Sequence, residues 1–312
     1  MKRVWFFVLA ITFFTGTADA QSGLSGRGFS EVKADCLKKG SNENKEKASA
    51  LSQAISFNKS GIKASFENRH AEAVKLFREA KKLAPECEQF HFNLGRALGY
   101  ENLLDEAVQV FNELINASPD YHLGYEGLGE ILYKAGKKIE SAKAYAKAAE
   151  LNPEDETTLT NYGYALYHIQ DYAKAITVLN KAVKLSTDYA PAYNNRGTVF
   201  FAQGKYKDAI ADFQRVIALD PSIAEAHNNL GVAFEKTGQK KKAQTCFLEA
   251  IRVSPDYEEA QFNLAINYVK SGDRMAAYNQ LNSLERTNSA LAGKLKKTIQ
   301  AKFVIDVSQK VQ

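Results

Sequence analysis

Five prolines of this chain recur on one spacing. Pro85, Pro119, Pro153, Pro221 and Pro255 are separated by 34, 34, 68 and 34 residues, and 68 is twice 34. A period of 34 residues is typical of a stacked array of helical hairpins. Such an array buries side chains between neighbouring hairpins and offers partners one long face in place of one deep pocket. The spacing therefore predicts an all-α solenoid.

Small and large residues follow the same period. A glycine stands 24 residues before each proline, and the repeat without the proline has one too: Gly61, Gly95, Gly129, Gly163, Gly197 and Gly231. A small residue twelve residues before the proline is followed four residues later by a large one, which places both on one helix face. Gly136, Gly204, Gly238 and Gly272 mark the turn within the repeat, because glycine favours helix ends. Each repeat is predicted to be a helix, a turn and a second helix.

The segments HFNLGRAL, YNNRGTVF and HNNLGVAF, each followed by an Ala and a proline-containing stop, resemble the tetratricopeptide repeat family. The resemblance implies a right-handed superhelical α-solenoid of helix-turn-helix repeats with a C-terminal capping helix. The last repeat departs from the pattern at Ala265 and Ser289, and the first at Ser60. Seven consecutive repeats are expected, at residues 54–87, 88–121, 122–155, 156–189, 190–223, 224–257 and 258–291.

The N-terminus has the order of a secretory signal peptide. Lys2 and Arg3 precede an apolar stretch, and Ala18-Asp19-Ala20 follows it. We expect cleavage after Ala20, with an uncleaved N-terminal anchor as the alternative. The mature chain is then expected to be periplasmic or secreted in a bacterium. The mature chain is then predicted to lack an integral membrane segment, because the stretch is too short to cross a bilayer.

Residues 21–53 are predicted to form a flexible linker and an N-terminal helical extension, since their first part is rich in Gly and Ser. Whether residues 35–53 form a degenerate extra repeat stays open. At the other end, residues 292–312 are predicted to be a capping helix and tail. Leu291, Leu295, Ile299 and Phe303 recur every fourth residue and give this helix one apolar face.

An exported protein enters a compartment in which disulfides persist, so we favour the interpretation that Cys36 and Cys87 form a disulfide. The alternative is that both are free thiols. The bridge would close a loop of about 51 residues and stabilise the fold by ~4 kcal/mol. Cys246 is the remaining cysteine and lies beside Phe247 in a predicted second helix. We expect it to pack as a small apolar residue.

Motifs for catalysis or cofactor binding are not found. The sequence has no phosphate loop, nucleophile elbow or paired-His motif. Cys87 and His91 have helical spacing but no further ligand near them in sequence, so no metal site is expected. The formal charge of +5 falls to about +3 without Lys2 and Arg3, too little for a nucleic-acid partner. We therefore expect no catalytic residue, no cofactor and no enzymatic activity.

The resemblance implies that the first helix of each repeat lines a concave groove through its positions 5, 6, 9, 12 and 13. Position 6 carries a row of amides: Asn93, Asn161, Asn195, Asn229 and Asn263. An amide can bond both the N–H and the C=O of an extended peptide. This row is similar to the asparagine ladder of the repeats that precede a protein glycosyltransferase. The alternative is that these asparagines bond neighbouring helices.

Other groove positions carry aromatic and charged residues. The aromatic ones are Phe92, Tyr133, Tyr164, Tyr167, Phe201 and Phe262, and the charged ones include Arg96, Glu126 and Glu130. Aromatic side chains on a surface are typical anchors for partners. The charges alternate in sign, so no strongly acidic or basic ligand is implied. No repeat has the position-5 lysine that the carboxylate clamp of co-chaperones in this family requires.

These observations predict an exported, non-enzymatic adaptor that binds a protein or extended peptide in the concave groove. The alternative function is a structural assembly subunit of a bacterial envelope, secretion or pilus machine that acts through convex or terminal surfaces. The two differ in whether groove residues or second-helix residues matter for the partner. The sequence leaves the partner and the oligomeric state open.

Overall fold

A computed structural model describes residues 45–309 except residue 288. The predicted signal peptide and Cys36 lie outside these residues. The described part contains 15 helices and no strand, which confirms the all-α prediction. Over these residues, no helix combines the length and the apolar character needed to span a membrane. The helices are α1 (Lys45–Phe66), α2 (His70–Leu83), α3 (Glu88–Tyr100), α4 (Leu104–Ala117), α5 (His122–Lys134), α6 (Lys138–Leu151), α7 (Glu156–His168), α8 (Tyr172–Leu185), α9 (Ala190–Ala202), α10 (Tyr206–Leu219), α11 (Ala224–Lys236), α12 (Lys240–Val253), α13 (Glu258–Ser271), α14 (Arg274–Arg286) and α15 (Ala290–Gln309).

Consecutive helices pack as hairpins, and the periodic glycines lie where the two helices of a hairpin touch. A Cβ atom on Gly95 would come within 2.6 Å of the ring of Phe111, and one on Gly231 within 2.6 Å of the ring of Phe247. Carbon atoms in packed interiors sit about 3.5–4.0 Å apart. The glycine and the large residue 16 positions later, aromatic in most repeats and Leu179 after Gly163, are therefore one packing unit, which explains why both recur with the period.

The chain divides into two compact units. The N-terminal unit, in its described residues 45–185, comprises α1–α8, with a core that includes Phe77, Phe111 and Ile131. The C-terminal unit begins at residue 186 and comprises α9–α15. One part of its core includes Phe213 and Phe247. A second hydrophobic cluster, formed by α13, α14 and α15, includes Phe262 and Leu281.

Each end of the described chain has a distinct helix. Helix α1 is a single helix in which Leu51 and Ile55 pack beside Cys87 and Phe90. Residues 45–53 thus lengthen the first helix and do not form a separate hairpin. At the other end, the fully buried Leu295 of α15 packs with the core of α13 and α14. This is the closing helix that the apolar spacing predicts.

The turn inside every hairpin contains one residue with positive φ. These seven residues are spaced by 34: Asn68, Asn102, Gly136, Gln170, Gly204, Gly238 and Gly272. Left-handed backbone is unfavourable for residues other than glycine, although asparagine tolerates it. Gln170, with φ of 62°, is therefore the least suited of the seven.

We expect Gln170→Gly to stabilise the protein by up to about 1 kcal/mol, because glycine removes the left-handed strain but adds entropy to the unfolded chain. Chemical denaturation followed by circular dichroism measures this change. The matched control is Gln203→Gly, since Gln203 follows α9 with φ of −79° and should gain nothing. An unchanged or lower stability of Gln170→Gly would contradict the assignment of strain.

Candidate functional site

Three of the predicted ladder asparagines are bonded to asparagines of the preceding hairpin. The Nδ2 of Asn93 donates to Oδ1 of Asn58 at 2.8 Å. Asn263 donates to Asn228 at 2.8 Å, and Asn229 donates to Asn194 at 3.4 Å. All six side chains are buried. Each bond joins position 6 of one repeat to position 5 of the repeat before it, so these amides tie neighbouring first helices together.

Three other steps of the array do not have two asparagines at this pair of positions, and one of them has no asparagine at all. Position 5 there is Phe92 and position 6 is Gly127. A Cβ atom on Gly127 would come within 2.1 Å of the ring of Phe111, and Phe92 meets that ring edge-on with centroids 6.1 Å apart. Aromatic packing thus replaces the amide pair, and the row of asparagines is interrupted between α3 and α5.

Asn161 is half-buried and Asn195 is buried. Peptide contact by any of the five asparagines stays a prediction. Sequence reasoning did not pair Asn58, Asn194 and Asn228 with the ladder. The consecutive asparagines 194–195 and 228–229 were the available signal, because adjacent positions of successive repeats meet with an offset of one period plus one residue.

Charged residues of two first helices of the N-terminal unit, α3 and α5, contact one another. Lys134 and Arg96 flank Glu130, with Nζ to Oε1 at 3.0 Å and Nε to Oε2 at 3.9 Å. Arg96 donates from Nη2 to the hydroxyl of Tyr100 at 3.3 Å, and the ammonium of Lys134 lies 4.9 Å from the Tyr100 ring centroid. The predicted site residues Arg96 and Glu130 therefore come together, joined by Tyr100 and Lys134.

Glu126 lies one helical turn before Glu130 on α5. Burial raises its pKa to about 7, and the negative charges of Asp155 and Glu130 act in the same direction. Its Oε1 is inaccessible and accepts no hydrogen bond of normal length and angle, although the hydroxyl of Thr158 acts to lower the pKa of the carboxyl. The Nε of Arg96 is also inaccessible and has only the 3.9 Å ionic contact with Glu130. Each of these two charged groups thus keeps an atom without a hydrogen bond of normal geometry.

A group of aromatic rings lies beside these charges. The hydroxyl of Tyr164 donates to that of Tyr133 at 3.0 Å, and a hydrogen bond of 3.0 Å joins Tyr133 to Nε2 of His168. The rings of Tyr164 and Tyr167 pack against His168 with centroids 4.5 and 5.1 Å apart. Burial lowers the pKa of His168 to about 4, so the imidazole is neutral near pH 7. We refer to Arg96, Glu126, Glu130, Tyr133, Tyr164 and His168 as the first-helix cluster.

Exposure differs among the predicted aromatic anchors. Tyr133, Tyr167 and Phe201 are half-buried, whereas Phe92, Tyr164 and Phe262 are buried. Phe262 lies in the core closed by α15, with the ammonium of Lys294 5.2 Å from its ring centroid. The partly exposed rings are the ones that a partner could reach directly. Sequence reasoning did not select His168, although its place directly after Tyr167 was a usable signal.

In the C-terminal unit, Glu235 of α11 and Lys270 of α13 stand at the repeat positions of Tyr133 and His168 and belong to a polar network. The carboxylate of Glu235, which is buried, accepts hydrogen bonds from Asn267 and from Lys270, the latter at 3.1 Å. Burial lowers the pKa of Lys270, partly offset by Glu235. Unlike Glu126, Glu235 has both oxygens paired within the protein.

Cys87 is bonded in a disulfide and Cys246 carries a free thiol. Cys36, the predicted partner of Cys87, lies outside the described residues, so that pairing stays a prediction. His91 uses Nδ1 in a 3.3 Å hydrogen bond with the carbonyl oxygen of Cys87. Across the described ranges, no three His, Cys, Asp or Glu side chains come together as a metal site.

Comparisons with known proteins bear on these hairpins. A family described as TPR repeat matches residues 163–204 and 197–238. Families described as tetratricopeptide repeat match residues 61–122, 124–155 and 224–257. A comparison with functionally curated proteins gives no significant match.

Several solved structures have a similar fold. The Cut9-Hcn1 hetero-tetramer of the APC/C is 17% identical with a TM-score of 0.63, over 80% of this chain and 47% of that one. PilW, a widely conserved type IV pilus biogenesis factor, is 18% identical with a TM-score of 0.59, over 64% and 92%. Pseudomonas aeruginosa pilF is 16% identical with a TM-score of 0.58, over 68% and 96%. At these identities the likeness concerns the fold alone.

Proposed function

Because the chain belongs to the tetratricopeptide repeat family, we propose that it is a non-enzymatic adaptor that binds an extended polypeptide segment along its first helices. Arrays of this kind present a long surface on which a partner can lie in an extended conformation. In this proposal the partner is a protein, and no nucleic acid or cofactor takes part.

The observation that carries the proposal is the first-helix cluster. It draws on three successive first helices: Arg96 of α3 lies 3.9 Å from Glu130 of α5, and Tyr133 of α5 is hydrogen-bonded to His168 of α7 at 3.0 Å. Aromatic and arginine side chains are the usual anchors of protein interfaces. Tyr133 and Tyr167 are half-buried, so each keeps accessible ring surface beside the charges.

The asparagines have a divided role in this proposal. The amides of Asn93, Asn229 and Asn263 support the surface, because each is bonded to the preceding hairpin. Asn161 and Asn195 are the ladder members that we propose for contact with the peptide main chain. Phe201 would supply a further aromatic anchor, since it is half-buried.

The proposed setting is outside the cytoplasm of a bacterium, after cleavage of a signal peptide at Ala20. The order of residues 1–20 supports this proposal. The bonded state of Cys87 agrees with it, since disulfides persist in oxidising compartments.

Exposed apolar side chains support a second candidate function. Ile139 is 61% exposed and Met275 is 73% exposed, and each is the second residue of a second helix. An assembly subunit would use such positions to contact other components. PilW, a protein of similar fold, is a type IV pilus biogenesis factor, but at 18% identity the similarity supports the fold and not the role.

Site-specific photo-crosslinking in cells that export the chain tests the two candidates. We expect a crosslinker at position 167, and separately one at position 201, to join an extended segment of a partner protein, because each position lies on a first helix of its own unit. A crosslinker at Leu248, an exposed residue of the second helix α12, is the control and should join none. Adducts from positions 139 and 275 in place of 167 and 201 would favour the assembly subunit.

The segment identified in this way permits a quantitative prediction. Tyr167→Ala should weaken binding of the synthetic segment by about 30-fold, which corresponds to about 2 kcal/mol for an interfacial aromatic anchor. Leu248→Ala should leave the affinity unchanged. Fluorescence anisotropy measures both. Equal affinity of Tyr167→Ala and the unaltered protein would contradict a role of this ring in capture.

A further inference from the structure

We propose that the captured segment is rich in proline and lies across the N-terminal unit as a polyproline II helix, with every third residue stacked on a tyrosine of successive first helices. The three tyrosines are Tyr100 of α3, Tyr133 of α5 and Tyr167 of α7, and we refer to them as the tyrosine row. This inference rests on the proposed function and names the chemical class of the partner segment.

The tyrosine row is accessible from solvent. Tyr100 is 45% exposed, and Tyr133 and Tyr167 are half-buried. Each of the three is the last or the last but one residue of its first helix. Phe66, which is also 45% exposed, ends the first helix of the preceding repeat in the same way. Large aromatic side chains that keep surface outside the core at one repeated position indicate a place where a partner binds.

Side-chain contacts connect the tyrosine row from one helix to the next. The ammonium of Lys134, the residue after Tyr133, lies 4.9 Å from the ring centroid of Tyr100. The rings of Tyr133 and Tyr167 both lie against the ring of His168, with centroid distances of 5.0 and 5.1 Å. These contacts hold the rings in place before a ligand arrives, which reduces the entropy lost on binding.

The spacing of the first helices selects the conformation of the ligand. Helices in contact lie about 8–10 Å apart, and the contact of Tyr133 and Tyr167 with the same histidine ring limits their separation to this range. A polyproline II helix has about three residues per turn and rises about 3.1 Å per residue, so residues on one side recur about every 9 Å. Residues on one side of a β-strand recur about every 7 Å. The polyproline II conformation therefore presents one residue to each tyrosine of the row.

The polar groups beside the tyrosine row also favour proline. The carboxylate of Glu130 is paired with Lys134 at 3.0 Å, and Oε1 of Glu126 is inaccessible. These carboxylates are therefore poor acceptors for the N–H groups of a ligand, and a prolyl residue has no N–H to satisfy. The hydroxyl of Tyr100 accepts a hydrogen bond from Nη2 of Arg96 at 3.3 Å, so its own O–H can donate to a carbonyl oxygen of the segment.

Two fluorescein-labelled peptides of identical composition test the inference. The probe is a 12-residue peptide of four Pro-Ala-Ala units, and its isomer consists of two Pro-Pro-Ala-Ala-Ala-Ala units. Fluorescence anisotropy compares the affinity of both peptides for the unaltered protein and for Tyr100→Ala. The matched control is Tyr193→Ala, because Tyr193 is a half-buried tyrosine near the opposite end of a first helix, α9. Thermal melts followed by circular dichroism verify that each variant is folded.

We expect the peptide with proline at every third residue to bind the unaltered protein about tenfold more tightly than its isomer. Tyr100→Ala should weaken binding of this peptide about tenfold and reduce the difference between the two peptides, because fewer rings remain to match the proline spacing. Tyr193→Ala should change neither value. The segment that is crosslinked at position 167 should contain prolines three residues apart.

Equal affinity of the two peptides, no binding of either, or binding that Tyr100→Ala leaves unchanged would overturn the inference. The inference also fails if the segment crosslinked at position 167 lacks proline and binds the protein in isolation, and this result leaves the proposed function standing. The proposed function fails separately, when neither position 167 nor position 201 yields an adduct with a protein.

Discussion

Replacement of Asp212 by Val should lower the free energy of unfolding by about 3 kcal/mol, because it removes the carboxylate that pairs with the partly buried guanidinium of Arg196. The two side chains form a bidentate pair, with Nε–Oδ2 and Nη2–Oδ1 distances of 2.9 and 2.7 Å. Arg196 is 18% exposed and Asp212 is 7% exposed. Urea denaturation followed by circular dichroism measures the loss.

The double variant Arg196→Leu with Asp212→Val should recover this loss and be at least as stable as the unaltered protein. Other repeats carry apolar residues at the two positions, as Leu94 and Val110 do. Burial raises the pKa of Asp212 even though the hydrogen bonds from Arg196 act to lower it, so desolvation of the carboxylate outweighs its pairing. Well-packed apolar residues can therefore replace the pair without loss.

The single variant Arg196→Leu completes the cycle. It should also be destabilised, because it leaves Asp212 buried without its cation. A double variant that is less stable than both single variants would show that the ion pair stabilises this hairpin in a way that Leu and Val cannot replace.

The second large effect concerns pH. Burial raises the pKa of Glu126 from 4.5 to about 7. Between these two values the folded protein holds the proton and the unfolded chain does not. Stability from this group is therefore full below pH 4.5 and falls as pH rises to 7, by a total of about 3 kcal/mol.

Glu126→Gln removes this titration. We expect the variant to match the unaltered protein at pH 4.5 and to exceed its stability by up to about 3 kcal/mol at pH 8. The comparison of the two proteins is needed because His168, whose pKa is lowered to about 4 by burial, changes stability in the opposite direction over part of this range. Urea denaturation at both pH values measures the difference. A difference that does not depend on pH would contradict the ionisation assigned to Glu126.

Several structural features follow from local sequence. The 34-residue spacing predicts hairpins, and first helices begin at residues 88, 122, 156, 190, 224 and 258. The turn glycines predict positive φ, which Gly136 and Gly204 adopt. Leu295 and Ile299 of the last helix are buried as their spacing predicts. These features depend on backbone preference and on which face of one helix is apolar, both of which can be read from neighbouring residues.

The candidate site required more than local sequence. Residues such as Asn93 and Asn229 have the type and position of peptide-binding amides, but their hydrogen-bond partners are residues 35 positions earlier. The pairing of an asparagine depends on the side chain opposite it, as the exchange to Phe92 and Gly127 shows. Glu126 and Glu235 are both glutamates of first helices, and only the structure shows that both oxygens of Glu235 accept hydrogen bonds while Oε1 of Glu126 accepts none of normal geometry.

The sequence alone determined the repeat length, the helical hairpin and the positions of glycine and large apolar residues, because a regular stack imposes the same local requirement on every repeat. Tertiary structure alone decided which polar side chains are satisfied within the protein and which retain an unused donor or acceptor. The physical reason is that hydrogen bonding and ionisation depend on distance and burial between residues of different repeats, and the helical period does not encode these.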